Sequence, residues 1–216
     1  MESRIIAVFD FDKTLTAGMS IESSFLKYLV ENRKLRAQNL LNAALYYMKH
    51  IFKSPDEALK RNKMYLKGIT TEQALLWVRD FIKERGDKLI SMKNLQHVKS
   101  HKDAGHTTIL ISGSPDILID SLDMYLWFDL VYTTRLKSVD GIYTGRINGP
   151  HYYGKTKADL IKRLKDELDA DLKESFCYAD SIKDIEMLSL FGHPVAVNPD
   201  RHLIQVALRQ HWEILK

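Results

Sequence analysis

The stretch that most limits what this chain can become is Ile5-Ile6-Ala7-Val8-Phe9, an uncharged apolar run that leads into Asp10, Asp12 and Thr14. A short apolar run without alternation is the pattern of a strand buried on both faces of a parallel sheet. Such a sheet needs helices on both sides, and its ligands gather at the carboxyl ends of the strands. Asp10 and Asp12 stand at that end, and period-two alternation turns both side chains the same way. Two acids held close repel each other unless a cation or a shared proton joins them. A divalent, oxygen-seeking ion such as Mg²⁺ is the natural partner. Taken alone, the stretch also fits a strand-end turn with solvated acids.

After Thr14 the pattern changes. From about Gly18 to Arg85 nothing reads as a strand. Ile21, Phe25 and Leu29 recur at helical spacing, so a helix is expected from Ser20 to about Asn32. Ser54-Pro55-Asp56-Glu57 starts a second helix that carries Met64-Tyr65-Leu66 and stops at Gly68. Thr70-Thr71-Glu72-Gln73 opens a third. The result is a helical insert of roughly 65 residues at the end of the first strand, and a loop of that length at such a place usually forms a lid. The expected units are residues 1–16 with 86–216 as an α/β core, and 17–85 as the insert.

Strand and helix then alternate. A helix is expected from about Asp87 to Ala104, followed by strands at Thr107–Ile111, Asp129–Tyr132, Phe176–Ala179 and Pro194–Val197. Val139-Asp140-Gly141-Ile142-Tyr143 reads as a hairpin around its Asp-Gly turn. Four or five strands alternating with helices make a parallel sheet covered on both faces, the Rossmann-like α/β class.

Polar groups recur beside these strands. Ser112-Gly113 follows one of them, placing a hydroxyl and a backbone N–H at a helix start, where a phosphate is favoured. Lys155 and Lys157 both fit a lysine at the start of the next helix. Lys157 is preferred because Ala158-Asp159-Leu160-Ile161 begins directly behind it. Asp180 and Asp184 follow the strand Phe176–Ala179. Each feature alone is commonly a turn or a solvated side chain. Their joint placement at one edge of one sheet is what points to a site.

Hydrophobic residues make up 45% of the chain and charged ones 28%, as in ordinary globular proteins, and the net charge is only +4. That balance suits small anionic substrates without implying nucleic acid, and no basic-aromatic alternation surrounds Trp77, Trp127 or Trp212. The single cysteine, Cys177, sits in a buried-strand pattern and reads as packing. With no disulfide to form and no signal segment at the start, a cytoplasmic setting is expected. The longest apolar stretch, Leu40 to Met48, is too short to span a bilayer. Arg33, Lys34, Arg36, Lys49 and Lys53 flank it, which would suit a membrane surface, but packing within the helical insert is the favoured reading. His97 and His101 lack a third ligand at clear spacing and read as a solvated helix face, not as a zinc site.

Asp10-Phe11-Asp12-Lys13-Thr14, Ser112, Lys157 and Asp180 with Asp184 resemble, in order, the four motifs of the haloacid dehalogenase superfamily of phosphohydrolases. The insert after the first motif is similar to the cap of its phosphoserine-phosphatase-like branch, subfamily IB. The ending His193-Pro194-Val195-Ala196-Val197-Asn198-Pro199-Asp200 with Trp212 resembles a bacterial subgroup of that branch. The resemblance covers essentially the whole chain. It implies a Mg²⁺-dependent phosphomonoesterase of small phosphorylated metabolites, with Asp10 as nucleophile and Asp12 as acid and base. It implies that Thr14, Ser112 and Gly113 hold phosphoryl oxygens and that Lys157 neutralises charge. Asp10, the Asp12 carbonyl and Asp180 would hold the metal, with Asp184 orienting that site. Ala179 departs from the glycine usual before the fourth-motif aspartate.

Phosphoserine-specific relatives place an acid soon after the first motif. Here that stretch is Ala17-Gly18-Met19, with Glu22 one turn on, and Arg61 is the nearest candidate to grip a substrate carboxylate. Lys60, Lys63 and Lys67 add basic character to the insert. A phosphotransferase, or a phospho-accepting signalling module, would use a similar set of groups.

Overall fold

The computed structural model describes residues 3–52, 54–122 and 127–216; Lys53, one of the basic residues flanking the apolar stretch, lies outside them. β1 (Ile6–Asp10) is buried at all five positions. It pairs in parallel with β2 (Thr107–Pro115) on one side and β6 (Phe176–Ala179) on the other. With β3 (Leu130–Thr134), β7 (His193–Val197) and β8 (Glu213–Leu215), the order is β3-β2-β1-β6-β7-β8 and every pairing is parallel. Connections run outward in opposite directions from β1, so the crevice at its carboxyl end is a topological switch point.

Alternation along β1 divides the core in two. Ala7 and Phe9 face a cluster with Tyr178, Val195 and the helices α1 (Ile21–Glu31), α4 (Thr71–Leu89) and α5 (Met92–Asp103). Ile6 and Val8 face the other, with Cys177, α7 (Lys155–Leu168), α8 (Ile185–Leu188) and α9 (Arg201–Arg209). Phe9 stacks on Tyr178 at 4.4 Å between ring centroids, and removing such a buried ring costs about 3–5 kcal/mol.

α2 (Ala37–His50) and α3 (Pro55–Lys60) complete the helical insert. Ser20 caps α1 by accepting from the Ser23 N–H, and Ser54 and Thr70 cap α3 and α4 in the same way. The second insert helix is shorter than expected. It stops at Lys60, and a separate 3-10 turn holds Met64–Leu66. The break lets Lys63 turn inward. α2 is helical, but its apolar stripe is not packed: Asn39 is its one fully buried residue, and Leu40, Leu41, Leu45 and Met48 remain exposed.

The helix expected from Asp87 is two elements. α4 runs through Gly86 to Leu89, and α5 begins at Met92. Between them Ile90 bridges Thr16, the Ala17 N–H donates to Leu89 O and the Ser91 N–H to Leu15 O, both at 2.8 Å. That crossing pairs the two strands of chain that join insert and core.

The Asp-Gly hairpin forms as expected, from β4 (Leu136–Val139) and β5 (Ile142–Ile147), with Asp140 and Gly141 both at positive φ. It leaves the main sheet and binds the insert: the Gly68 N–H donates to Tyr143 O and the Tyr143 N–H to Ile69 O, each at 2.9 Å. The histidine pair is not a solvated face. α5 turns Leu95, Val98 and His101 onto the sheet, where the His101 ring nitrogens lie 2.8 Å from Tyr178 Oη and from His106 Nδ1. Burial, with His106 and His97 nearby, pulls the His101 pKa down to about 4. Among the described residues no helix is long and apolar enough to cross a membrane.

Candidate active site

Asp10 ends β1 with its carboxylate buried. One oxygen takes a hydrogen bond from Lys157 Nζ at 2.5 Å, the other from the Thr14 hydroxyl at 3.2 Å. Lys157 also donates to Asp184 Oδ2 at 2.8 Å, so one buried ammonium bridges two carboxylates from distant parts of the chain. Burial by itself would lower the pKa of Lys157; Asp10 and Asp184 outweigh it and hold the group charged. Gly154, at φ 55, starts α7 at Lys155, which leaves Lys155 exposed and sets Lys157 facing the sheet.

Phe11 to Thr16 wrap into a tight loop. Leu15 N–H returns to Phe11 O at 2.8 Å, and Lys13, at φ 63, donates its N–H to Thr16 Oγ1 at 2.6 Å. Asn94 of α5 clamps the loop from behind through Thr14 O at 2.7 Å. Asp12 is fully engaged. Its Oδ1 accepts from the Ile21 N–H at 2.8 Å and its Oδ2 from the Ser114 hydroxyl at 2.6 Å. Burial and the charge of Asp10 raise its pKa against those two bonds. Because Ile21 is the first residue of α1, the insert begins by binding this carboxylate.

Ser112 is fully buried one strand away, and Gly113 follows it. Both lie within β2 and not at a helix start as expected. Pairing with β3 carries the extended backbone on to Pro115, and the helix behind it, α6 (Asp116–Ile119), has four residues. Only a small residue fits at Gly113, where an added Cβ would come within 3.1 Å of Tyr152 O and 3.7 Å of His151 Nε2.

Asp180 follows β6, and the 3-10 turn Ile182–Asp184 swings Asp184 inward. The Asp180 pKa is raised by burial and by repulsion from Asp10 and Asp184, and that of Asp184 by burial, with Lys157 opposing. No described residue donates a hydrogen bond to the Asp180 carboxylate. A buried acid in that position stays protonated unless a cation meets its charge. Among the described residues no three His, Cys, Asp or Glu side chains cluster as a metal cage. Asp184 is held by Lys157, the Asp12 carboxylate by Ile21 and Ser114, and Asp10 by Lys157 and Thr14, so of the four acids only the Asp180 carboxylate has no donor among the described residues.

Two candidates from the insert are paired with other residues of the insert. Arg61 is exposed and pairs with Glu57 at 3.2 Å. Glu22 is taken: Lys63, only 1% exposed, donates to both its oxygens at 2.6 and 2.5 Å, and Tyr65 Oη donates at 3.0 Å.

Three positioning residues carry no signal readable in advance. Ser114 holds Asp12, and its hydroxyl comes from 102 residues away. Asp200 accepts from Ser181 Oγ and the Ile182 N–H at 3.0 and 2.8 Å, tying down the loop that bears Asp184. His151 is 6% exposed, its Nε2 has no partner among the described residues, and it lies against Gly113. Burial, then the charges of Lys63, Arg61, Lys60 and Lys157, pull its pKa down to about 3, so the ring is neutral. Facing core and insert meet again at Lys183, whose ammonium is 3.0 Å from Asp56 of α3.

The comparisons with known proteins agree with this architecture. Residues 7–189 match the haloacid dehalogenase-like hydrolase model. The inhibition of morphological differentiation protein of Streptomyces azureus is 30% identical over 98% of this chain and 78% of its own length. A histidinol-phosphatase of Neisseria meningitidis is 28% identical over 97% of both chains. Among solved structures, a Bordetella pertussis protein of unknown function superposes with a TM-score of 0.83 at 19% identity over 100% of this chain and 99% of that one. A phospho-aspartyl intermediate analogue of phosphoserine phosphatase superposes with a TM-score of 0.68 at 18% identity, over 99% and 93%. The parallel sheet, the four polar stations around β1 and the family match together identify the chain as an enzyme of the haloacid dehalogenase-like hydrolases.

Proposed function

We propose that this chain is a Mg²⁺-dependent phosphomonoesterase that works through a phosphoryl group carried on Asp10. The observation that carries this reading is the Lys157 bridge between Asp10 and Asp184, with Thr14 on the second Asp10 oxygen. It leaves one carboxylate oriented at a switch point and surrounded by groups that tolerate added negative charge. The phosphatase names of relatives support it.

Asp10 attacks phosphorus, its carboxylate oxygen forming the new P–O bond as the ester P–O bond breaks. Asp12 gives its proton to the departing alkoxide. In the second half, Asp12 takes a proton from water as the water oxygen bonds to phosphorus and the Asp10–phosphorus bond breaks, releasing inorganic phosphate. The raised pKa of Asp12 suits an acid that begins protonated. Lys157 offsets charge on Asp10 and the phosphoryl oxygens, while Ser112, Thr14 and the Gly113 N–H hold those oxygens. Asp10, Asp180 and the carbonyl of Asp12 would hold Mg²⁺, which when bound neutralises the phosphate dianion facing the nucleophile.

The helices between residues 17 and 85, with the tail of α4, act as a cap that excludes water. The charges of Lys63, Arg61 and Lys60 reach His151, which lies against Gly113, so cations of the insert would bear on an anionic ester held there. Glu22 is already neutralised by Lys63, so it does not serve a substrate ammonium, and an anionic ester without an amine fits better than phosphoserine. Phosphate release from a panel of amino-acid, sugar, nucleotide and glycerol monoesters, with Mg²⁺ and with a chelator, tests the reading. Metal-dependent release is expected. No release from any ester, with a metal-dependent phosphoprotein accumulating from a small phosphodonor, would replace it with a transferase or signalling role.

A further inference from the structure

The face that α2 turns outward has no partner among the described residues. Leu41, Leu45 and Met48 recur at helical spacing on it, and Phe52 follows just beyond; they are 50%, 51%, 56% and 95% exposed. Isolated exposed apolar residues are ordinary, but a contiguous stripe of large ones marks an interaction surface. Residues 32–52 contain no acid at all.

Beside the stripe lies a cavity of about 1040 Å³ between α2 and the β4–β5 hairpin. Leu45 belongs to both. The walls carry Lys49, Lys67, Lys137 and Arg146, and among the described residues that line it none is acidic. Val139 and Ile142, at the hairpin tip, add two more exposed aliphatic side chains to the same rim.

We propose that the surface formed by α2 and the β4–β5 hairpin docks this protein on an anionic lipid bilayer. Leu41, Leu45, Met48 and Phe52 enter below the headgroups, while Lys49, Lys67, Lys137 and Arg146 meet lipid phosphates. Neither signal suffices by itself. A short apolar stripe partitions weakly and a few cations are screened by salt, but the two together anchor a peripheral protein. Charge selects this occupant over a second copy of the chain, because an isologous pairing would set each group of cations against its twin. A nucleic acid would satisfy the cations and leave the leucine stripe in water.

The test is co-sedimentation of the full chain with vesicles of phosphatidylcholine alone and of phosphatidylcholine with about one-third phosphatidylglycerol. Two double variants accompany it, Leu45→Asp with Met48→Asp, and Lys137→Glu with Arg146→Glu. The wild type is expected to bind the anionic vesicles at least about tenfold more than the neutral ones and to be released by high salt. Each double variant is expected to lose at least about tenfold of that binding while keeping its melting temperature and its turnover of a soluble ester. Equal binding to both vesicle types, or undiminished binding by either variant, overturns the proposal. So does light scattering that shows a dimer in the wild type and a monomer in Leu45→Asp/Met48→Asp, which would assign the face to a second copy.

Discussion

Replacing Lys157 with methionine keeps the length and apolar stem of the side chain and removes the ammonium alone. In the native protein that ammonium touches Asp10 at 2.5 Å and Asp184 at 2.8 Å, and all three groups are buried. Taking one partner from a buried ion pair costs about 3–5 kcal/mol, chiefly because the charge left behind is uncompensated. In a chain of this size each kcal/mol moves the melting temperature by about 2–4 °C, so a fall of roughly 10 °C is expected in the presence of chelator. The loss depends on pH in a definite direction. Burial and the charge of Asp10 raise the Asp184 pKa, and without the opposing lysine it stands further above its unfolded value. The folded state then binds more protons than the unfolded one, and stability declines as pH rises through that window. The deficit in urea denaturation is accordingly larger near about pH 8 than near about pH 5, and Mg²⁺ recovers part of it. Turnover falls by about 10²–10³-fold because charge on the transferring group goes unmet. A deficit under about 1 kcal/mol that is the same at both pH values would refute the bridge, since only a solvated ammonium behaves that way.

Ser114→Ala removes the hydroxyl that meets Asp12 at 2.6 Å. Because that bond lowers the pKa of Asp12, the alkaline limb of the kcat profile, where the acid loses its proton, is expected to move to higher pH; an unmoved limb would separate Asp12 from acid catalysis. Glu22→Gln leaves Lys63 buried without its counter-charge, at a cost of about 3 kcal/mol. Its melting temperature is expected to fall, while KM for amine-bearing and amine-free esters changes alike. A rise in KM confined to phosphoserine, with stability intact, would show that Glu22 reads the substrate.

The parts of this molecule that could be read from sequence are those whose cause is local. β1 declares itself because a run without polar residues has no solvent face to offer, and the Asp-Gly hairpin because two consecutive positive-φ residues are needed there. The choice between Lys155 and Lys157 turns on where α7 starts, and Gly154 at φ 55 places that start at Lys155, ahead of Ala158, where the apolar periodicity begins. β8 was not legible: Glu213-Ile214-Leu215 is a three-residue, half-exposed edge strand with nothing to distinguish it from a helix tail. The break after α3 follows from a contact 41 residues away, the pull of Glu22 on Lys63. Ser114, His151 and Asp200 are ordinary polar residues until the fold sets them beside Asp12, Gly113 and the Asp184 loop. His101 shows the reverse error, where a helical pair of histidines suggested solvent and the sheet beneath α5 supplied a buried hydroxyl partner.

The central claim is that Asp10 carries the phosphoryl group. The most direct measurement is to quench the enzyme in acid during turnover of its best ester, digest it, and locate the phosphoryl adduct by mass spectrometry. The account expects the adduct on the peptide containing Asp10 and none in Asp10→Asn, which should stay folded and lose turnover. An adduct on another residue, or substantial turnover by Asp10→Asn, would contradict it.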